Sequence, residues 1–130
     1  MKKILKLAFC LTLCVFLLAA CGEKLPEGVT EEAVKSHAST TVLSLNDKDY
    51  DALNKSMTPE MVDALSASPL GDVWEPFAEK LGAFKQIDKV TVGAQKGLAV
   101  AVVNASYENA KATFTLSYDA EYHLAGLFFK

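Results

Sequence analysis

Between Leu81 and Phe84 the spacing of apolar residues changes from three or four to two, and this change decides the fold class. Upstream, Val34, Ala38, Thr41 or Val42, and Leu45 recur at helical spacing, as do Leu70, Val73, Trp74, Phe77 and Leu81. Downstream, Val90, Val92 and Ala94 alternate with polar neighbours. Ala112, Phe114, Leu116 and Tyr118 then share one face against Lys111, Thr113, Thr115 and Ser117 on the other. Leu98 to Tyr107 carries valine and alanine on both faces, which suits an inner strand covered on both sides. A last strand is expected over Tyr122 to Phe129. The intervening turns (Gln95-Lys96-Gly97, Glu108-Asn109-Ala110, Asp119-Ala120-Glu121) are too short for anything but antiparallel neighbours. The expected class is therefore α+β, with N-terminal helices packed on a curved antiparallel sheet of about four strands.

Helix boundaries follow from capping chemistry. Thr30 is a good N-cap, and Glu31 and Glu32 place negative charge in the first turn, where the helix dipole favours it. Asn46-Asp47 breaks this helix, a short second one carries Tyr50 and Leu53, and Thr58-Pro59 opens a third through Met61 and Leu65. Pro76 lies inside the next apolar stripe, where it would remove a hydrogen bond and clash with the carbonyl four residues back. With Asp72 as N-cap and Glu75 closing a capping box, Pro76 falls in the first turn, so the spacing predicts a helix over about 73–81 that Gly82 ends.

The first twenty residues have a different logic. Lys2, Lys3 and Lys6 are followed by Leu7 to Ala20, an apolar run of 14 broken only by Thr12, with small residues before Cys21. This is the layout of a secretory signal. It falls short of the roughly 20 apolar residues that span a bilayer. Leu18-Ala19-Ala20-Cys21 resembles the lipobox of bacterial lipoproteins, which implies cleavage between Ala20 and Cys21 and a diacylglycerol on the Cys21 thiol. Residues 1–20 are then signal, 21–28 a lipidated tether and 29–130 the domain. The expected location is extracytoplasmic, on the outer face of the cell membrane, with the lipid on Cys21 as membrane contact. Cys10 and Cys14 would leave with the signal, so no disulfide could form within the mature chain.

Charge narrows the partners. The sequence contains no arginine, and loss of the three signal lysines shifts the formal net charge from −3 to −6. Such a surface argues against nucleic acid, whose binding rests on cationic contacts to phosphate. It also argues against a polybasic grip on anionic lipid. The tether, fully extended, reaches roughly 25 Å at about 3.3–3.6 Å per residue, which keeps the domain near the membrane.

Trp74, the Gly82-Ala83-Phe84-Lys85-Gln86-Ile87 run, the Tyr107-Glu108-Asn109 turn and Ala125-Gly126-Leu127-Phe128-Phe129 together resemble the DUF3887 family of bacterial domains over roughly residues 35 to 130. The resemblance implies the NTF2-like, cystatin-like superfold, in which helices wrap a strongly bent sheet and often enclose a conical pocket. It also implies a lone lipoprotein or a domain preceding an α/β-hydrolase, although no G-x-S-x-G motif occurs in this sequence. It carries over no catalytic residues and no cofactor.

Candidate site residues each have a bland alternative. His37 and a carboxylate such as Asp51 or Glu79 would make an acid–base pair if they met inside a cone, since histidine titrates near neutrality. The plain alternative is a packed or half-exposed helix histidine, and His123 on the last strand reads likewise. Two histidines without a cysteine partner give no reason to expect zinc. Asp47-x-Asp49-x-Asp51 fails as a calcium loop because Ala52 and Thr58 stand where glycine and glutamate are required. His37, Tyr50, Trp74, Phe77, Tyr107 and Tyr118 form the candidate pocket, aromatic walls with polar tips, or else simply core. The leading expectation is a non-enzymatic tethered domain that binds a small molecule or an envelope protein. The rivals are an enzyme built on His37 and a structural module with a filled cone.

Overall fold

A computed structural model describes residues 24–65 and 67–130; the signal, Ala20 and Cys21 lie outside the described residues. Among the described residues four helices precede four strands: α1 (Glu31–Asn46), α2 (Tyr50–Ser56), α3 (Pro59–Ala64), α4 (Ala67–Leu81), then β1 (Phe84–Gln95), β2 (Leu98–Tyr107), β3 (Lys111–Tyr118) and β4 (Leu124–Phe129). The strands pair in sequence order, all antiparallel, into one curved sheet with the helices N-terminal to it. Among the described residues no helix is long and apolar enough to cross a membrane.

Local chemistry sets the helix starts. Thr30, Asp49 and Thr58 cap α1, α2 and α3, each side chain accepting a backbone N–H three residues on. The α1 stripe of Val34, Ala38, Thr41, Val42 and Leu45 is buried as its spacing predicts. It lies on the inner face of the sheet, where β2 presents Ala99, Ala101, Val103 and Ala105, all fully buried. Three alanines in that row let the helix come close to the sheet, and the interior between them is filled by apolar side chains. Fully buried Val34, Val42 and Leu45 each contribute about 1.5–3 kcal/mol.

Three expectations change. Helix α4 starts at Ala67 rather than near residue 73, so Asp72 is an interior residue and not the N-cap. Pro76 and Asp72 are both exposed, so the carbonyl that Pro76 leaves unbonded faces water, while the buried stripe of Leu70, Trp74 and Leu81 rewards continuing the helix. Val73 falls outside that stripe and is 58 % exposed. Strand β2 is an inner strand covered on one face only: Leu98, Val100 and Val102 on the outer face are half-buried. Strand β4 begins at Leu124, because Tyr122 sits in the preceding turn with a positive φ of 65°.

Three tyrosine hydroxyls pin α1 to the sheet. Tyr122 Oη accepts from Thr30 N at the helix start (3.2 Å). Tyr118 meets Thr41 in the middle (2.7 Å). Tyr107 donates to Asn46 Oδ1 at the end (2.6 Å). Trp74 anchors α4, with its ring centroid 5.7 Å from Phe114 and 5.3 Å from Phe129, edge-on to the latter.

Candidate functional site

The end of α1 is where the site begins. Lys48 N–H donates to Leu45 O and Asp49 N–H to Ser44 O, closing a Schellman motif around Lys48 at φ 58°. Glycine is the usual residue at that left-handed position, and lysine there costs roughly 1 kcal/mol. What lysine adds is an ammonium: Lys48 Nζ reaches Glu75 of α4 at 3.3 Å, both side chains about half exposed. The ion pair spans the mouth of a cleft of about 550 Å³ between the α1 terminus, the last two turns of α4 and the start of β1.

The cleft grades from a charged rim to a buried end. Lys48, Glu75 and Glu79 are exposed, Ala78 and Phe84 are half-buried, and Tyr107 and Trp74 are buried, Trp74 to 0 % exposure. Gly82 lets the wall close: at φ +81° it ends α4, and a Cβ there would lie 2.9 Å from Asn109 Nδ2. Two lining residues carry buried, unsatisfied donors. Trp74 Nε1 and Asn46 Nδ2 have no hydrogen-bond partner among the described residues, although Asn46 Oδ1 accepts from Tyr107. A buried donor left unpaired costs about 1–3 kcal/mol. Burial holds the Tyr107 hydroxyl above its usual range and keeps it protonated as a donor.

Of the candidate pocket residues, the structure brings Trp74 and Tyr107 together along this cleft and places the others elsewhere. Tyr118 is buried beneath α1 on Thr41. Phe77 packs in the aromatic cluster, 5.9 Å from Trp74 and 5.0 Å from Phe129. Tyr50 is half-buried against Gly71; its hydroxyl is unpartnered and held above its usual range by burial and then by the Glu75 charge. His37 is exposed and stacks on Tyr122 at 4.8 Å with an interplanar angle of 11°. It lies nine residues before Asn46, about 14 Å along the helix, so neither Glu79 nor the exposed Asp51 of α2 forms a pair with it. His123 contacts Asp119 (3.4 Å) and Glu121 (3.6 Å) in the β3–β4 turn. Among the described residues no three histidine, cysteine or acidic side chains converge as a metal site would require.

Residue reading missed Asn46, Lys48, Glu75 and Gly82 as lining residues. Asn46 and Gly82 read locally as helix stops, which they are; that both stops face one cleft depends on tertiary placement. The one available signal was a helix ending in Asn-Asp-Lys without glycine. A second hollow of about 550 Å³, lined by Gln86, Ser106, Glu108 and Lys111 among others, lies beside Asp88. Its polar groups satisfy one another: Asp88 accepts from Ser106 and Gln86, which hold its carboxyl below the usual range.

Comparison with known proteins gives fold and family without activity. A family described as "Protein of unknown function (DUF3887)" matches residues 38–127. A solved structure described as "NMR structure of protein from Ruminococcus gnavus ATCC 29149" is similar with a TM-score of 0.64 and 24 % identity, over 81 % of this chain and 95 % of that one. That likeness speaks to fold alone. No curated protein matches.

Proposed function

This chain belongs to the DUF3887 family, and from that premise we propose a lipid-tethered extracytoplasmic domain that binds a small molecule in the cleft between α1 and α4. Catalysis is not part of the reading, because the one histidine near the helix stripe stacks on Tyr122 and makes no ion pair with a carboxylate among the described residues. The observation that carries the proposal is the indole N–H of fully buried Trp74, unpartnered among the described residues, in a side chain that lines a cleft of ligand size. A ligand oxygen there recovers a hydrogen bond that the folded chain leaves unmade. The tether rests on the lipobox-like Leu18-Ala19-Ala20-Cys21.

Native mass spectrometry of protein purified from its own host should show a retained small molecule. Ala78→Trp, which fills the cleft from its half-buried wall, should lose it. The bare polypeptide mass, with a Trp74 indole resonance unmoved by host extract, would sink the binding reading. It would favour a structural envelope module instead, a reading that the filled interior beneath α1 supports. For the tether, Cys21→Ser should abolish incorporation of labelled fatty acid, and undiminished labelling would refute it.

A further inference from the structure

The charge on the cleft selects among ligands. We infer, resting on the binding reading above, that the cleft takes a small ammonium-bearing molecule that also presents an acceptor oxygen, and discriminates against anions. Three charged side chains line it. Lys48 and Glu75 neutralise each other at 3.3 Å, whereas Glu79 makes no ion pair or hydrogen bond among the described residues. One net negative charge therefore remains on the rim. The same cleft is lined by the rings of Phe84 and Tyr107, 5.4 Å apart and edge-to-face. An aromatic face next to a carboxylate attracts a cation both through the ring quadrupole and by direct charge.

Two lining side chains ask for the opposite group. Trp74 Nε1 and Asn46 Nδ2 are donors without acceptors among the described residues. A carboxylate would satisfy them but meets an excess of acidic charge on the lining, with the one lining cation already engaged by Glu75. A neutral carbonyl or hydroxyl oxygen satisfies them without that repulsion. The two demands fall on one cleft and define a polar ligand that carries both an ammonium and an acceptor oxygen.

Three probes that share a ring and carbonyl but differ in charge test this: phenylalaninamide (cationic), N-acetylphenylalaninamide (neutral) and N-acetylphenylalanine (anionic). Each is titrated against the protein at pH 6, where the amine is protonated and the carboxyl ionised, and at low salt, with the indole resonance of Trp74, the one tryptophan of the sequence, as reporter. Phenylalaninamide should shift it and bind roughly tenfold more tightly than the neutral probe, with the anion weakest. Glu79→Gln should bring the cation down to the neutral probe's affinity, while Glu121→Gln, exposed on the distant β3–β4 turn, should leave the preference intact. Equal or tighter binding of the neutral or anionic probe, or a preference that survives Glu79→Gln, overturns the inference and leaves the cleft a binding site. Silence from all three probes overturns the inference and the binding reading together.

Discussion

Replacing Tyr118 by phenylalanine should lower stability at neutral pH yet protect the fold in alkali. Thr41 Oγ1 donates its single proton to His37 O at 2.9 Å, so the 2.7 Å contact must have Tyr118 donating to Thr41. Removing that hydroxyl deletes one buried hydrogen bond but strands no donor, a loss of about 1 kcal/mol. The alkaline effect has the other sign. Burial pushes the Tyr118 hydroxyl up to about 12 from an ordinary 10.0. A folded-state pKa raised above the unfolded one gives stability that is complete below pH 10 and lost as pH climbs toward 12. The slope is about 1.4 kcal/mol per pH unit and the total about 3 kcal/mol, a large part of the 5–15 kcal/mol typical of a domain. Urea unfolding at a series of pH values should therefore show wild type ahead by about 1 kcal/mol at neutrality and the two proteins crossing near pH 11. Tyr107, also raised by burial, leaves the variant a weaker alkaline decline of its own. Parallel stability curves for the two proteins would refute the reasoning.

Three other substitutions probe the backbone around the cleft. Pro76→Ala restores an amide donor on the exposed side of α4 and should raise stability by roughly 1–3 kcal/mol in thermal or urea unfolding; no gain would mean that the helix is kinked there to advantage. Gly82→Ala puts a Cβ at φ +81° and 2.9 Å from Asn109 Nδ2, and should cost roughly 1–3 kcal/mol, with little change counting against the tight α4–β1 join. Lys48→Gly relieves a left-handed lysine and removes a half-exposed ion pair that contributes only about 0–1 kcal/mol, so urea midpoints should hold or rise; a clear fall would show that the Glu75 contact is structural.

What the sequence made legible was periodicity and capping. The α1 stripe, its Thr30 cap and the Lys111–Tyr118 alternation are local patterns with local causes, and they appear in the structure residue for residue. The start of α4 was not legible. Pro76 and Gly71 argue locally against a helix that starts before residue 73, but Leu70 is 2 % exposed and its burial outweighs them. Gly71 also has a tertiary use, since the Tyr50 ring lies 3.4 Å from where a Cβ would stand. Tyr122 misled for a similar reason: its side chain serves the N-terminal end of α1, so its backbone leaves the strand to put it there. The cleft was the least legible feature, because it is made from the ends of α1 and α4 and the starts and stops of strands, and each of those residues already had a sufficient local explanation.

The tyrosine contacts carry a directional consequence. Tyr122 bonds Thr30 N and reaches Gly28 O at 3.5 Å, so the chain leaving the tether is fastened at one end of α1, while Asn46 and Lys48 form the cleft at the other. Sixteen helical residues separate those ends by about 24 Å. With the proposed lipid on Cys21, the tether would therefore enter at the end of α1 opposite the cleft. Exposed carboxylates gather at that entry, Glu27, Glu31 and Glu32 from the chain itself and Glu121 from the turn beside Tyr122, which adds no attraction to anionic head groups. On that proposal the cleft would open on the aqueous side and meet water-borne, polar ligands. That agrees with Glu79, which has no ion pair among the described residues, and argues against a membrane lipid as occupant.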